Sequence, residues 1–260
     1  MNRFQNENIR IFKHEKNKGV TAAKNTGLRN IKGEWFTILD SDDEIVPEAI
    51  ETMINIPLNF DKSITAVTCN CLDTSSNEFA GKGLVRDQYL EVKTLMTICK
   101  GEFWGLTKTS LLKNGYFNEN LSGFETVLWY KIDDRANRYY IHKPLRIYHT
   151  EGSDRISNTK YDFNKEMKLY TNLIDEIDYI NKIKKYNPGK FKNICRNGLI
   201  VSRINHDKII SLKYYEYLSN SNGSLINKLI LKYWIVAVII KKLQFINNII
   251  KPKLKFLLQK

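Results

Sequence analysis

Residues 34–40, EWFTILD, form an almost unbroken apolar run that ends directly against three carboxylates, Asp40, Asp42 and Asp43. Side chains alternate across a sheet, so an uninterrupted run predicts a central strand covered on both faces. The preceding segment has helical spacing. Val20, Ala23, Gly27 and Ile31 recur at intervals of three and four after a turn at residues 17–19, and Lys32-Gly33 closes the pattern. Ahead of it, IRIFKH reads as a short strand with Ile9 and Ile11 on one face. Beyond the carboxylates, Pro47 fits the first turn of a second helix, Glu48 and Glu51 suit its positive end, and Met53, Ile54 and Ile56 carry it to Pro57. ITAVTCNC, residues 64–71, is a further buried strand. Strand, helix, strand, helix, strand predicts an α/β sheet with crossover helices, in which ligands bind beyond the carboxyl ends of the strands. The acidic cluster stands at such an end.

The second half of the chain changes character. Apolar residues from Phe163 to Ile183 keep one helical face up to Asn187-Pro188-Gly189, and a second helical stretch follows over about residues 191–218. Three segments are expected: an α/β domain at 1–158, a helical region at 159–222 and a basic amphipathic tail at 223–260. The formal charge is +13, but residues 225–260 hold eight lysines and no acidic side chain, so more than half of the excess sits in the tail. Lysines interleaved with Ile, Leu, Trp and Phe suit the headgroup region of an anionic membrane surface, the alternative being a helix packed on the domain or a partner. No nucleic-acid motif accompanies the charge, and no nucleic-acid partner is expected. The longest apolar run, YWIVAVII at 233–240, falls short of the roughly 18–20 residues a spanning helix needs. The opening MNRFQNENIR carries no apolar core of a secretory signal. Cys69, Cys71, Cys99 and Cys195 form no zinc-type pairs and suit reduced thiols in a cytosolic setting.

Clustered carboxylates repel one another unless a cation, a basic side chain or water screens them. Mg²⁺ or Mn²⁺ takes a few carboxylates and completes its shell with water and phosphate oxygens, so DSDD suits a metal-diphosphate site. The bland alternative is a solvated turn whose acids favour the next helix N-terminus. An EF-hand loop is excluded because Ile45 stands at the sixth position, where Gly is required. A DxDxT-type phosphotransfer motif is excluded by Glu44.

Read together, NKGVTAAKNTGLRNIKGEWFTILDSDDEIVPEAI resembles family 2 glycosyltransferases, whose pattern is N-x-G-x-x-x-A-R-N-x-G-L, a spacer, G-E-[YF]-[IV], then D-S-D-D and a Pro. Asn17, Gly19, Asn25, Gly27, Gly33, Glu34, Asp40, Asp42, Asp43 and Pro47 match it, and Lys24 stands where the family has Arg. Downstream, FWGLTKTSLLKNGYFNENLSGFETVLWYKI resembles the stretch that carries the family's catalytic base, which falls on Glu125, with Phe124 in place of the preceding acid. IYHTEGSDRISN resembles the segment that closes the donor site, with His149 at the metal or diphosphate and Arg155 facing phosphate.

The resemblance, over residues 7–158, implies a GT-A fold followed by a helical region, a nucleotide-sugar donor such as a UDP-sugar, Mg²⁺ or Mn²⁺, and inversion at the anomeric carbon. It implies metal ligation by Asp40, Asp42, Asp43 and His149, donor contacts from Asn17, Lys24, Asn25, Asp40 and Arg155, and a general base in Glu125. The acceptor would be a cell-surface polysaccharide or lipid-linked glycan, reached by a cytoplasmic protein peripheral on the inner face of the cell membrane. The family's opening strand and DDGS-like segment have no counterpart here, so the sheet is expected to lack its first β-α-β unit. The contrasting expectation is an inactive remnant or split-gene fragment that only binds metal, membrane or a partner.

Overall fold

Strong apolar burial organises the chain around two separate centres, residues 1–159 and 160–260. The computed structural model describes residues 9–113, 115–121, 123–150, 162–219 and 224–257. In chain order the first unit carries α1 (Val20–Arg29), β1 (Trp35–Phe36), β2 (Glu44–Ile45), α2 (Ala49–Asn59), β3 (Ala66–Asp73), β4 (Glu78–Phe79), β5 (Gln88–Leu90), α3 (Val92–Thr97), β6 (Phe103–Lys108), α4 (Thr126–Asp133) and β7 (Arg138–Tyr148). Its sheet runs β1-β6-β3-β7-β2, with β4 beside β3 and β5 beside β7. β3 and β7 are parallel and the other pairs antiparallel, which makes the unit a mixed α/β sheet.

β3 is the central strand, buried on both faces from Ala66 to Cys71. Val67, Cys69 and Cys71 share one face with Ala49 and Met53 of α2, Trp104 and Leu106 of β6 and Ile141 and Leu145 of β7. Fully burying one such side chain stabilises by about 1.5–3 kcal/mol, so this cluster is what holds α2 on the sheet. Between Cys69 and Asn70 the register against β7 jumps from Ile141 to Pro144. Pro144 cannot donate to a ladder, so a bulge suits it. Asn70, fully buried, bridges the disturbed region: its amide donates to Gly81 O (2.9 Å) and Tyr140 Oη (3.1 Å), and its Oδ1 accepts from Gly81 N (2.8 Å).

Four expectations are corrected. EWFTILD is not a central strand: only Trp35–Phe36 pairs, with β6 alone, and Leu39 is exposed. Its later backbone is met by a side chain instead, Trp104 Nε1 donating to Ile38 O at 2.9 Å. Residues 9–14 form no strand, and Ile9 and Ile11 are exposed; an extended segment needs a row of backbone partners, and none of the described residues supplies one. The buried face of α1 is Thr21, Ala22, Asn25 and Leu28, so Ala23 and Gly27 face outward. α2 runs through Pro57 to Asn59, since a proline near the end of a helix forfeits one backbone bond without ending the turn.

The second unit comprises α5 (Phe163–Leu173), α6 (Ile177–Tyr186), α7 (Pro188–Ile204), α8 (Lys208–Ser219), α9 (Leu225–Lys232) and α10 (Trp234–Leu257). The two helices expected from spacing are four, because Leu173, Ile180 and Ile183 keep one buried face across the break at residues 174–176. Starts are marked by side chains. Asp162 accepts from Asn164 N and Lys165 N ahead of α5, and Asn187 accepts from Lys190 N ahead of Pro188 in α7. The basic tail is part of this unit: Ile230 and Ala237 are fully buried, and α9 and α10 pack against α7.

Candidate active site

The acidic turn is built by β2, which pairs antiparallel with β7 and sets Glu44 opposite Ile147 and Ile45 opposite Arg146. Within the turn Asp43 N donates to Asp40 O at 3.1 Å. The Asp43 carboxylate points inward, pairs with the Arg146 guanidinium and accepts from His149 N at 3.2 Å. Asp40 stays partly exposed, 3.0 Å from Lys24 Nζ and 3.8 Å from Arg146, and Asp42 is exposed. Glu102, immediately before β6, approaches Arg146 at 4.0 Å. Burial works against the Arg146 charge, yet the hydrogen bond to Asp43 and the surrounding carboxylates hold its pKa above the ordinary value.

The expected metal ligands therefore divide. Asp43 is committed to Arg146, and His149 Nε2 lies 3.0 Å from Glu44 Oε1. Among the described residues no three His, Cys, Asp or Glu side chains are grouped as a ready metal site. Asp40 and Asp42 are the carboxylates turned toward solvent, and two carboxylates with water and phosphate oxygens make an adequate shell for Mg²⁺ or Mn²⁺. The residues present fit the cation in that reduced form.

The expected donor contacts divide as well. Asn17 is exposed and accepts from Gly19 N at 2.8 Å, shaping the turn before α1 at a glycine whose φ is 88°. Asn25 is almost fully buried. Its amide donates to Phe117 O and Glu119 Oε1, and its Oδ1 accepts from Phe117 N, each at 2.9 Å, so it ties α1 to the loop that leads toward Glu125. Arg155 lies outside the described residues. Glu125 stands at the start of α4, half-buried, accepting from Gly123 N at 3.2 Å. Leu128 and Ile132 of α4 pack with Leu28 of α1, Phe36 of β1 and Phe117. The start of α4, and Glu125 with it, is thus held against α1 and β1.

Arg146 and Glu102 were not among the expected residues. A signal for Arg146 exists, since a charge inside the apolar run PLRIY must find a partner once that run is buried. Nothing comparable marks Glu102.

The family model Glycosyl transferase family 2 matches residues 1–108. Those residues are similar to that family. A GalNAc(5)-diNAcBac-PP-undecaprenol beta-1,3-glucosyltransferase from Campylobacter jejuni is 36% identical over 157 residues, covering 58% of this chain and 50% of that protein. A chondroitin synthase from Escherichia coli is 27% identical over 203 residues, covering 71% of this chain and 27% of that protein. The chain thus spans half or less of the length of these relatives. S. aureus TarS 1-349 is similar in structure at a TM-score of 0.47 and 12% identity, covering 80% of this chain and 74% of that one.

Proposed function

We propose that this family 2 glycosyltransferase chain transfers a sugar, with inversion, from a nucleotide-diphosphate donor of the UDP-sugar kind to a lipid-linked glycan. The observation that carries this reading is the acidic turn in a family 2 domain: Arg146 and Asp43 brace it from inside while Asp40 and Asp42 face outward. Mg²⁺ or Mn²⁺, held by Asp40 and Asp42, would supply charge stabilisation for the leaving diphosphate. Lys24, beside Asp40, places a second positive charge at the same point.

Glu125 accepts the proton of the acceptor hydroxyl as that oxygen attacks the anomeric carbon on the face opposite the diphosphate. The lipid-linked acceptor is favoured by the Campylobacter relative, whose name specifies a PP-undecaprenol carrier. Such an acceptor puts the reaction at the inner face of the cell membrane. No helix among the described residues is long and apolar enough to cross one.

Transfer from labelled UDP-sugars to polyprenyl-diphosphate-linked glycans, with Mn²⁺, tests the reading. Glu125→Gln should lower the rate by about 10²–10⁴-fold while leaving donor binding in place. Asp42→Ala should abolish the response to Mn²⁺. If both variants turn over like the parent, the site is misassigned.

A further inference from the structure

The last two helices of the second unit leave a large apolar face outward. Inward, α10 carries Ala237, fully buried, half-buried Ile240, Lys241, whose Nζ lies 2.6 Å from Glu166 Oε1, and Gln244, whose Nε2 donates to Asn197 Oδ1 at 3.2 Å. The opposite face, at spacings of four, four and three, is Ile235, Ile239, Leu243 and Ile246, exposed by 49%, 51%, 55% and 47%. α9 buries Ile230 and likewise leaves apolar side chains outward. Asn227 is buried and its Oδ1 accepts from Arg196 Nε at 3.4 Å, while Leu225, Ile226 and Leu229 are exposed. A helix at a water interface keeps its main apolar stripe toward the core and does not present a second one outward. Contiguous apolar surface left outward marks a face that something non-aqueous covers.

The charges around the stripe say what covers it. Lys228, Lys232 and Lys242 are exposed beside it, and residues 225–260 carry eight lysines with no acidic side chain. A second copy of the chain would set lysines against lysines, which opposes association. An anionic lipid surface accepts both features, the apolar side chains below the headgroups and the ammonium groups among them, reached by their long aliphatic stems. The lack of a spanning helix among the described residues leaves α10 to lie along such a surface.

We propose that the face Ile235, Ile239, Leu243 and Ile246 of α10, with Leu225, Ile226 and Leu229 of α9, docks in the plane of an anionic bilayer. This deepens the reading of a lipid-linked acceptor, but it rests on side chains of the second unit, which take no part in the chemistry.

Co-sedimentation of the full chain with phosphatidylcholine vesicles, with and without phosphatidylglycerol, is the test. The parent should bind the anionic vesicles and release from them as salt rises. Ile239→Glu combined with Leu243→Glu should weaken binding at least ~10-fold, because both charges would enter the headgroup boundary. The thermal melt should stay that of the parent, since both positions already face solvent. Lys242→Glu should weaken binding to anionic vesicles only. A chain that stays in the supernatant with phosphatidylglycerol vesicles overturns the proposal. So does a parent-like affinity in the double variant, or a dimer in light scattering that the double variant dissolves without any vesicle binding. Vesicle binding in a chain that transfers no sugar would sink the chemistry and leave the docking intact, and transfer to a water-soluble acceptor without vesicle binding would do the opposite.

Discussion

The guanidinium of Arg146 on β7 bonds the carboxylate of Asp43 on the acidic turn, and the two side chains are 6% and 1% exposed. The pair joins residues 103 positions apart in sequence and fixes where the turn leaves the sheet. Arg146→Met should cost about 3–5 kcal/mol, because it strands a buried carboxylate rather than merely removing an attraction. Adding Asp43→Asn should restore a large part of that loss. Urea unfolding followed by tryptophan fluorescence reads this well, since Trp35, Trp104 and Trp129 all lie in the first unit.

Lys24 pairs with Asp40, so on the proposed ligand set it would compete with a divalent cation for that carboxylate. With Asp40 freed by Lys24→Ala, Mn²⁺ should bind up to about fivefold more tightly, the discount reflecting a pair that solvent partly screens. Paramagnetic titration of Mn²⁺ would show it, and an unchanged or weaker affinity would remove Asp40 from the ligand set.

Gly198 in α7 sets helix propensity against packing. Alanine gains about 1 kcal/mol of intrinsic preference in a helix, yet its Cβ would sit 2.3 Å from the ring of Tyr214. Tyr214 is fully buried and donates to Tyr170 O at 2.6 Å, so it has no room to withdraw. Overpacking of this kind costs roughly 1–3 kcal/mol, and Gly198→Ala should lower the melting temperature of the helical unit, measured by circular dichroism at 222 nm.

Thiol chemistry separates native from unfolded protein. Burial pushes Cys69, Cys71 and Cys195 up to about 12, so their thiolates are scarce at any pH where the fold is handled. Folded-state pKa values above the unfolded ones mean that stability from these groups is fully present below their unfolded pKa and is lost as pH rises toward 12. Iodoacetamide at pH 8.5 should leave all three unmodified in native protein and alkylate them in urea. Native labelling detected by mass spectrometry would contradict the burial.

The elements legible in the sequence were those fixed by local periodicity. β3, α2 and the helical character of the second unit follow from apolar spacing, although α2 starts at Ala49, two residues after Pro47, and the break at residues 174–176 is not marked. Three features were not legible, each because its cause lies far away in the chain. The edge position of Trp35–Phe36 is set by β6, some 70 residues on. Asn25 reads as a ligand contact because it sits in a motif, and only its bonds to Phe117 and Glu119 show that it is buried structure. The outward apolar stripe of α10 is hidden because spacing defines a stripe but not which way it faces.

The parallel pairing of β3 with β7 has a consequence for how the protein is made. Ala66–Asp73 finds its parallel neighbour only in Arg138–Tyr148, so a nascent chain carries its most apolar strand without that partner until some 70 further residues have emerged. Sheets that wait for distant partners form slowly and expose sticky edges in the interval, whereas helices close on neighbours within a turn or two. On the ribosome the first unit should thus be the part that calls on chaperones, while the second collapses as soon as its helices are released.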